Sequence, residues 1–176
     1  MKLTMRFPIL MALAGWMQFT NPVSAQTNGP ATIHVPADYA TIQGAINAAS
    51  STNNDIVLVS NGVYFENLNF NGKAITVASV NGPEQTIIDG SQAGTVVTFA
   101  SGEGTNSILR GFTIQNGLSQ GAPGGIYIAY ASPAIIGNIF QNNAQGYDYG
   151  DYFGAAIGGI STAAVIEQNL FQNNSG

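Results

Sequence analysis

The chain contains no cysteine and has few charged residues. Charged residues make up 7% of its 176 residues, whereas an ordinary soluble domain carries about 25%. Without cysteine, neither a disulfide framework nor a cysteine-based structural zinc site can form, so packing and backbone hydrogen bonds must hold the fold. Hydrophobic residues reach 45%, which is typical of a folded chain rather than a disordered one.

Positive charge is scarcer still. The chain has four Lys and Arg against nine Asp and Glu. Lys2 and Arg6 lie at the N-terminus and all nine acids follow residue 25, so the part beyond residue 25 has a net charge of −7. Lys73 and Arg110 alone cannot build the basic stripe that binds a phosphate backbone. We therefore expect no nucleic-acid partner and no anionic lipid surface.

The first residues have the pattern of a secretory signal peptide. Two basic residues precede an apolar stretch over 7–19, and Val23-Ser24-Ala25 places small residues at −3 and −1. This predicts cleavage after Ala25 and a secreted, extracellular or cell-surface location. The apolar stretch is shorter than the ~20 residues that a membrane-spanning helix needs, so we expect no membrane span after removal of the signal. The predicted organisation is a signal peptide over 1–25, a linker over 26–32 and one domain over 33–176.

One helix and a series of short strands are predicted within that domain. The helix covers 38–50, with Asp38 or Thr41 as its N-cap. Its apolar residues recur at spacings of three and four and share one face: Ile42, Ala45, Ile46 and Ala49. Beyond residue 54, β-branched runs are broken by Gly, Asn and Asp, as between strands. The predicted strands cover 56–59, 63–65, 75–78, 86–88, 95–99 and 108–114.

Short strands in series fit either an antiparallel sandwich or a parallel solenoid. Recurrence in the second half favours the solenoid, because one phrase appears three times, at 113–117, 139–143 and 170–174. Ile114, Phe140 and Phe171 are the equivalent apolar positions, at spacings of 26 and 31. This period fits one coil of a solenoid with three short strands. The asparagines after each strand are predicted to form a structural ladder, with side-chain amides bonded to the neighbouring backbone: Asn116, Asn142 and Asn173.

The chain also resembles a known family. The residues that carry the resemblance are Ile33-His34-Val35-Pro36, Gly62-Val63-Tyr64 and Gly124-Gly125-Ile126. They are similar to pectin-lyase-like proteins, and the resemblance covers essentially all of 33–176. It implies an all-β, right-handed parallel β-helix with an N-terminal capping α-helix. It implies no particular activity, because this fold hosts lyases, esterases, hydrolases and proteins without known chemistry.

The catalytic signatures of that family are not matched. Pectin methylesterases carry a Gly-Tyr-Gln-Asp-Thr phrase that this sequence lacks. Arg110 has no carboxylate pair near it in sequence, and His34 is the sole histidine, far from any acid or serine motif. We therefore expect no catalytic residue, no metal ligand and no cofactor in the chain. The one alternative is a Ca²⁺ site in the loop that is described next. Arg110 is expected to lie outward.

One loop stands out as a binding candidate. The 31-residue spacing leaves room for extra residues over 146–153, where four aromatic and two acidic side chains are concentrated. Such a loop suits stacking on sugars or a weak calcium site. A decorated turn without function is the alternative. The candidate carbohydrate-binding residues are Tyr147, Asp148, Tyr149, Asp151, Tyr152 and Phe153.

Two functional hypotheses follow. The chain is a non-catalytic polysaccharide-binding or surface-interaction module, or it is a carbohydrate-active enzyme of the pectinesterase or polysaccharide-lyase type whose catalytic residues lie beyond residue 176. The first is favoured, because the chain lacks the catalytic constellation. The sequence ends at the corner of a predicted coil without a polar cap. We therefore expect more chain, or another subunit, to cover that end.

Overall fold

The computed structural model describes residues 29–146 and 154–176. This part of the chain is mostly β-structure and contains one helix, α1 (Ile42–Ala48). The strands are β1 (Thr32–Val35), β2 (Ile56–Val59), β3 (Gly62–Phe65), β4 (Leu68–Asn69), β5 (Thr76–Ser79), β6 (Thr86–Asp89), β7 (Val97–Phe99), β8 (Ile108–Arg110), β9 (Thr113–Gln115), β10 (Leu118–Gln120), β11 (Ile126–Ala129), β12 (Ala134–Ile136), β13 (Ile139–Gln141), β14 (Ala144–Gly146), β15 (Ile157–Ile160), β16 (Val165–Glu167) and β17 (Leu170–Gln172).

The strands form four sheets, and their pairings are parallel throughout. The long sheet has the order β1-β2-β5-β8-β12-β16. The five-stranded sheet runs β3-β6-β9-β13-β17, the four-stranded sheet β4-β7-β11-β15, and the two-stranded sheet pairs β10 with β14. Parallel pairing excludes the antiparallel sandwich for the described residues, because hairpin-linked strands run in opposite directions.

The second half repeats one order of elements. From β8 to β11 the chain enters the long, five-stranded, two-stranded and four-stranded sheets in turn, and β12 to β15 follow the same order. We call 108–129 and 134–160 the first two repeat units, and β16 and β17 begin a third in the same order. Phe140 pairs with Ile114 on one side and with Phe171 on the other. The repeat that the Gln-Asn phrase predicts is therefore confirmed, together with its register.

Apolar side chains stack in the interior between the sheets. Successive residues of a strand face opposite sides, so equivalent positions of paired strands form inward columns. Ile88, Ile114 and Phe140 form one such column and are fully buried. The rings of Phe140 and Phe171 are stacked, with centroids 5.1 Å apart. Each fully buried side chain of this size stabilises the fold by about 1.5–3 kcal/mol.

Helix α1 lies at the first strands and is shorter than the sequence predicts. It packs against β1, β2 and β4, and its buried residues are Ile42, Ala45 and Ile46, as the apolar spacing predicts. Thr41 is the N-cap and accepts a hydrogen bond from Gly44 N at 3.1 Å. Residues 38–40 are not helical, because the Asp38 carboxylate accepts a bond from His34 N at 2.7 Å and holds a separate turn.

A carboxylate binds the N-terminal end of α1, and an ammonium group binds its C-terminal end. The carboxylate of Glu66 accepts hydrogen bonds from Ile42 N and Gln43 N, at 2.8 and 2.9 Å. At the other end, Lys73 Nζ donates to the carbonyls of Asn47 and Ala49, at 2.7 and 2.6 Å. Free N–H groups begin a helix and free carbonyls end it, so each charge meets the helix end that it favours.

The corners of the repeat units use left-handed backbone. Asn116, Asn142 and Asn173 follow β9, β13 and β17 with φ of 56°, 55° and 54°. Asparagine tolerates this conformation better than other non-glycine residues. The preceding corners have Gly111, Gly137 and Gln168 with φ of 78°, 64° and 57°. The run 108–114, predicted as a single strand, is therefore two strands, because the corner at Gly111 separates β8 from β9.

Asparagine side chains join each unit to the one before it. Asn143 Oδ1 accepts from Gly117 N at 3.0 Å, and its Nδ2 donates to Ile114 O at 2.9 Å. Asn174 repeats this one unit later, accepting from Asn143 N at 3.0 Å and donating to Phe140 O at 2.9 Å. Each amide thus satisfies a backbone N–H at the corner and adds a hydrogen bond to a strand carbonyl of the preceding unit.

A second ladder with the same geometry lies at the other corner. Asn138 accepts from Phe112 N at 3.0 Å and donates to Leu109 O at 3.1 Å. Asn169 accepts from Asn138 N at 2.9 Å and donates to Ile135 O at 2.8 Å. The backbone partners are again equivalent residues of the preceding unit.

The structure corrects the residues assigned to the ladder. The sequence predicts amide-to-backbone bonds for Asn116, Asn142 and Asn173, but these bonds are made by Asn138, Asn169, Asn143 and Asn174. Asn142 and Asn173 are exposed, whereas Asn143 is 0% exposed. The left-handed residue carries its side chain outward, and the residue after it returns to the interior.

We predict that Asn143→Ala lowers the free energy of unfolding by about 2 kcal/mol, because the buried N–H of Gly117 loses its acceptor and the carbonyl of Ile114 loses its side-chain donor. The matched control is the neighbouring Asn142→Gly, which retains the left-handed corner and should change stability by less than about 1 kcal/mol. Urea unfolding followed by circular dichroism measures both. Equal losses in the two variants would show that the ladder does not depend on the second asparagine.

Thr86 provides a stabilising substitution. Its side chain is fully buried, and among the described residues its Oγ1 is a buried oxygen without a hydrogen-bond partner. Replacing a buried, unpaired hydroxyl by a methyl group of the same shape removes a desolvation cost. Thr86→Val should therefore raise the free energy of unfolding by about 1 kcal/mol in the same urea experiment. A loss of stability would show that the hydroxyl is satisfied in solution.

Candidate functional site

The binding loop predicted from the sequence lies outside the described residues. This applies to all of its candidates: Tyr147, Asp148, Tyr149, Asp151, Tyr152 and Phe153. The described residues beside it are Gly146, at the end of β14, and Gly154. β14 pairs with β10, so that Gly146 stands in register with Gln120. The calcium site considered for the same loop also falls outside the described part.

A row of polar side chains crosses the outward face of the five-stranded sheet. Asp89, Gln115, Gln141 and Gln172 occupy the same register position in β6, β9, β13 and β17. They face away from the core, because the residue before each one points inward in the column of Ile88 and its equivalents. We call Gln115, Gln141 and Gln172 the amide row.

The side chains of the row are bonded to each other in one direction. Gln172 Nε2 donates to Gln141 Oε1 at 2.7 Å, and Gln141 Nε2 donates to Gln115 Oε1 at 2.7 Å. Gln115 Nε2 in turn donates to Asp89 Oδ2, also at 2.7 Å. A chain of donors that all point the same way ends most favourably on an anion, and Asp89 supplies it.

Asp89 is the buried anchor of the row. Besides Gln115, its carboxylate accepts from Asn116 Nδ2 and from Ser91 N, both at 2.8 Å. Burial raises the pKa of Asp89, but the hydrogen bonds from Gln115, Ser91 and Asn116 outweigh burial, so the pKa lies below its ordinary value. The carboxylate is therefore ionised at neutral pH and acts as an acceptor, not as a proton donor.

The amide row retains hydrogen-bonding capacity for a ligand. Each glutamine amide has two N–H donors and an oxygen with two acceptor positions, of which the row uses only a part. Gln115 and Gln141 are half-buried and Gln172 is exposed. Adjacent strands lie about 4.8 Å apart, so the row offers neutral polar groups at a regular interval.

An exposed aromatic ring continues the row beyond Asp89. Phe65 of β3 pairs in register with Asp89 and is 72% exposed. Val63, two residues earlier on the same outward face, pairs with Ile87 and is 48% exposed. An exposed apolar ring beside fixed polar groups is the surface that binds an amphipathic ligand.

The other two buried carboxylates of the described residues have structural roles. Asp55 is 4% exposed and accepts from Ala31 N at 2.9 Å and Ser50 N at 2.7 Å. Glu103 is 2% exposed and accepts from Gly72 N and Ser101 N, both at 2.8 Å. These carboxylates bind backbone N–H groups, as Glu66 does at α1.

The remaining residues weighed for chemistry lie apart from the row. Arg110 is exposed at the end of β8. His34 lies in β1, where its Nδ1 is 3.3 Å from Asp38 Oδ2. Within 29–146 and 154–176 there is no group of three or more metal-ligating residues. In the same ranges, no helix has the length and apolar character needed to cross a membrane.

Comparison with protein-family models gives no match, and comparison with curated proteins gives none either. Sequence reasoning missed the amide row, although the signal was present: a glutamine recurs in each Gln-Asn phrase at the spacings of the apolar residues. A glutamine at a fixed register position on an outward face must stack on its equivalents.

The lowered pKa of Asp89 predicts a pH dependence of stability. A carboxyl group whose pKa is lower in the folded state stabilises the fold above its unfolded pKa, about 3.9, and that contribution disappears as the pH falls through the folded pKa. Asp89→Asn should therefore be less stable than the native chain at neutral pH, and the difference should shrink as the pH falls below the ordinary aspartate range.

Urea unfolding at a series of pH values measures this difference. The control is Glu84→Gln, which removes an exposed carboxylate before the same strand and should change stability by less than about 0.5 kcal/mol. A difference between the native chain and Asp89→Asn that is the same at all pH values would contradict the assignment of Asp89 as an ionised anchor.

Proposed function

We propose that this chain is an exported, right-handed parallel β-helix of the pectin-lyase-like type that binds polysaccharide without catalysis. The observation that carries the proposal is the amide row together with the exposed ring of Phe65, which continues the row beyond Asp89. The parallel pairing and the repeated order of the sheets support the β-helix architecture. The signal-like residues 1–25 support export.

Fixed amides and an exposed ring suit a sugar chain. Sugar hydroxyls both donate and accept hydrogen bonds, and so do glutamine amides. The apolar face of a sugar ring packs on an aromatic ring, while the hydroxyls at its edge reach neighbouring polar groups. A row that runs across several strands gives an elongated surface, which fits a polymer better than a single sugar.

The charges favour a neutral polysaccharide. Lys73 is engaged at the end of α1, and Arg110 ends β8 in the long sheet rather than in the sheet that carries the row. An acidic polymer would therefore find no cation in the row and would face the carboxylate of Asp89. The aromatic and acidic residues over 147–153 follow β14 in the sequence and are proposed to contribute to the same binding function.

The test is binding to neutral and acidic polysaccharides, measured by affinity electrophoresis and by isothermal titration. We expect retardation by a neutral polymer such as xylan or a β-glucan. Phe65→Ala should weaken binding by about tenfold, which corresponds to about 1.4 kcal/mol of lost ring contact. Gln141→Ala, which interrupts the row in its middle, should weaken binding by a similar factor.

The matched control is Tyr130→Asn. Tyr130 is also 72% exposed, but it lies at a different corner with φ of 51°, where asparagine retains the backbone conformation. This variant should bind as the native chain does. Failure to bind any of the neutral polymers would overturn the proposal. Binding that is lost in Tyr147→Ala with Tyr152→Ala but unchanged in Phe65→Ala would move the site from the row to the loop.

The alternative, a carbohydrate-active enzyme, is tested on the same polymers. Turnover of pectin or alginate into reducing or unsaturated products would overturn the non-catalytic proposal, and its loss on changing Asp148 and Asp151 together would place the catalytic residues within this chain rather than beyond residue 176. Binding without product formation is the result that we expect.

A further inference from the structure

Asn-Gly pairs are unusually frequent in this chain. Four lie within the described residues: Asn61-Gly62, Asn71-Gly72, Asn81-Gly82 and Asn116-Gly117. A fifth, at 28–29, begins outside them. Asn-Gly is chemically labile, because glycine has no side chain to hinder attack by its own backbone nitrogen on the preceding asparagine.

The reaction is deamidation. The glycine nitrogen attacks the side-chain carbonyl carbon of asparagine, the carbon–nitrogen bond of the amide breaks, and the glycine N–H proton leaves with the nitrogen as ammonia. A five-membered succinimide results, which water opens to aspartate or isoaspartate. The product carries one more negative charge, and in the isoaspartate the backbone is longer by one carbon.

Burial does not protect three of these pairs. Asn61, Asn71 and Asn81 are exposed, and Asn116 is half-buried. Water therefore reaches at least three of the four asparagines, and protection has to come from the reacting groups themselves.

Each attacking nitrogen is engaged as a hydrogen-bond donor. The glycine N–H groups donate to four different acceptors: Gly62 N to Gln85 O at 3.0 Å, Gly72 N to Glu103 Oε1 at 2.8 Å, Gly82 N to Ser79 Oγ at 2.7 Å, and Gly117 N to Asn143 Oδ1 at 3.0 Å. The nitrogen attacks only after it loses its proton, and an acceptor on that proton opposes the loss. The carboxylate of Glu103 opposes it most, since it would face a second negative charge.

The side chains under attack are engaged as well. Asn81 Nδ2 donates to Asn61 Oδ1 at 2.8 Å, which holds both side chains at once. Asn71 Nδ2 donates to Asn47 Oδ1 at 3.2 Å, and Asn116 Nδ2 donates to Asp89 Oδ2 at 2.8 Å. Deamidation requires the side-chain carbonyl to swing onto the following nitrogen, so these bonds must break first.

Deamidation of Asn116 would disturb Asp89, the anchor of the amide row. Conversion of its amide to a carboxylate would place a second anion within hydrogen-bond distance of Asp89. Two like charges at that distance repel, and Asp89 would lose the hydrogen bond that the Asn116 amide donates.

We propose that the fold protects these four Asn-Gly pairs from deamidation by binding the glycine N–H and the asparagine side chain of each pair, so that loss of one acceptor exposes one site. The inference does not depend on the proposed function, because it concerns the lifetime of the polypeptide and not its ligand.

The first test needs no variant. The native chain is incubated in mildly alkaline buffer, with and without urea, and digested, and deamidation at each asparagine is quantified by mass spectrometry. We expect conversion at all four sites in urea and rates lower by tenfold or more, that is, by about 1.4 kcal/mol or more, without it. Equal rates under the two conditions would overturn the proposal.

The second test is specific to one site. Ser79→Ala removes the acceptor of Gly82 N–H and should accelerate deamidation at Asn81 by about tenfold, while the other three pairs in the same digest retain their native rates. Glu103→Gln removes the negative charge that faces the Gly72 N–H and leaves one oxygen for the two N–H groups of Gly72 and Ser101, so it should accelerate deamidation at Asn71 alone. Folding is checked by far-ultraviolet circular dichroism. Folded variants that leave their site as slow as in the native chain, or that accelerate all four sites equally, would overturn the proposal.

Discussion

The structure depends on side-chain amides that replace missing backbone partners at the corners. Parallel strands pair residue by residue, but a corner takes a backbone N–H out of the sheet, and such a group would be costly if buried alone. Asn138 and Asn143 accept these N–H groups from the unit before them and also donate to its strand carbonyls, and Asn169 and Asn174 repeat the arrangement one unit later. An asparagine amide suits this task because it carries a donor and an acceptor side by side.

The low charge of the sequence follows from the same stacking. Equivalent residues of paired strands lie about 4.8 Å apart, so a charge at a repeated position would face its own copy. Neutral amides avoid the repulsion and bond to each other instead, as Gln115, Gln141 and Gln172 do. The described carboxylates that are buried, Asp55, Asp89 and Glu103, occur once each and bind backbone or amide N–H groups. None of these three carboxylates therefore faces a second carboxylate at the equivalent position of a paired strand.

The recurring sequence phrase made the strand pairing predictable. The local backbone geometry at the corners could not be predicted from it. The pairing of Phe140 with Ile114 and Phe171 followed from spacing alone, because equal positions in equal phrases must pair. Spacing could not decide between two consecutive asparagines, since only the backbone shows that Asn142 is left-handed and that Asn143 turns inward. The amide row was missed for a related reason: its glutamines lie in the same phrase, but the anchor Asp89 lies in a segment without the phrase.

The direction of the hydrogen bonds in the amide row connects the fold with the proposed binding surface. An isolated row of glutamines could point its donors either way with similar energy, and a mixture of directions would present no fixed pattern to a ligand. Asp89 accepts hydrogen bonds and donates none while it is ionised, so it fixes the orientation of Gln115, which in turn fixes Gln141 and Gln172. A buried carboxylate whose pKa is lowered by the bonds that it accepts thus determines which groups face solvent three strands away. The order of the surface is therefore a consequence of the order of the stack.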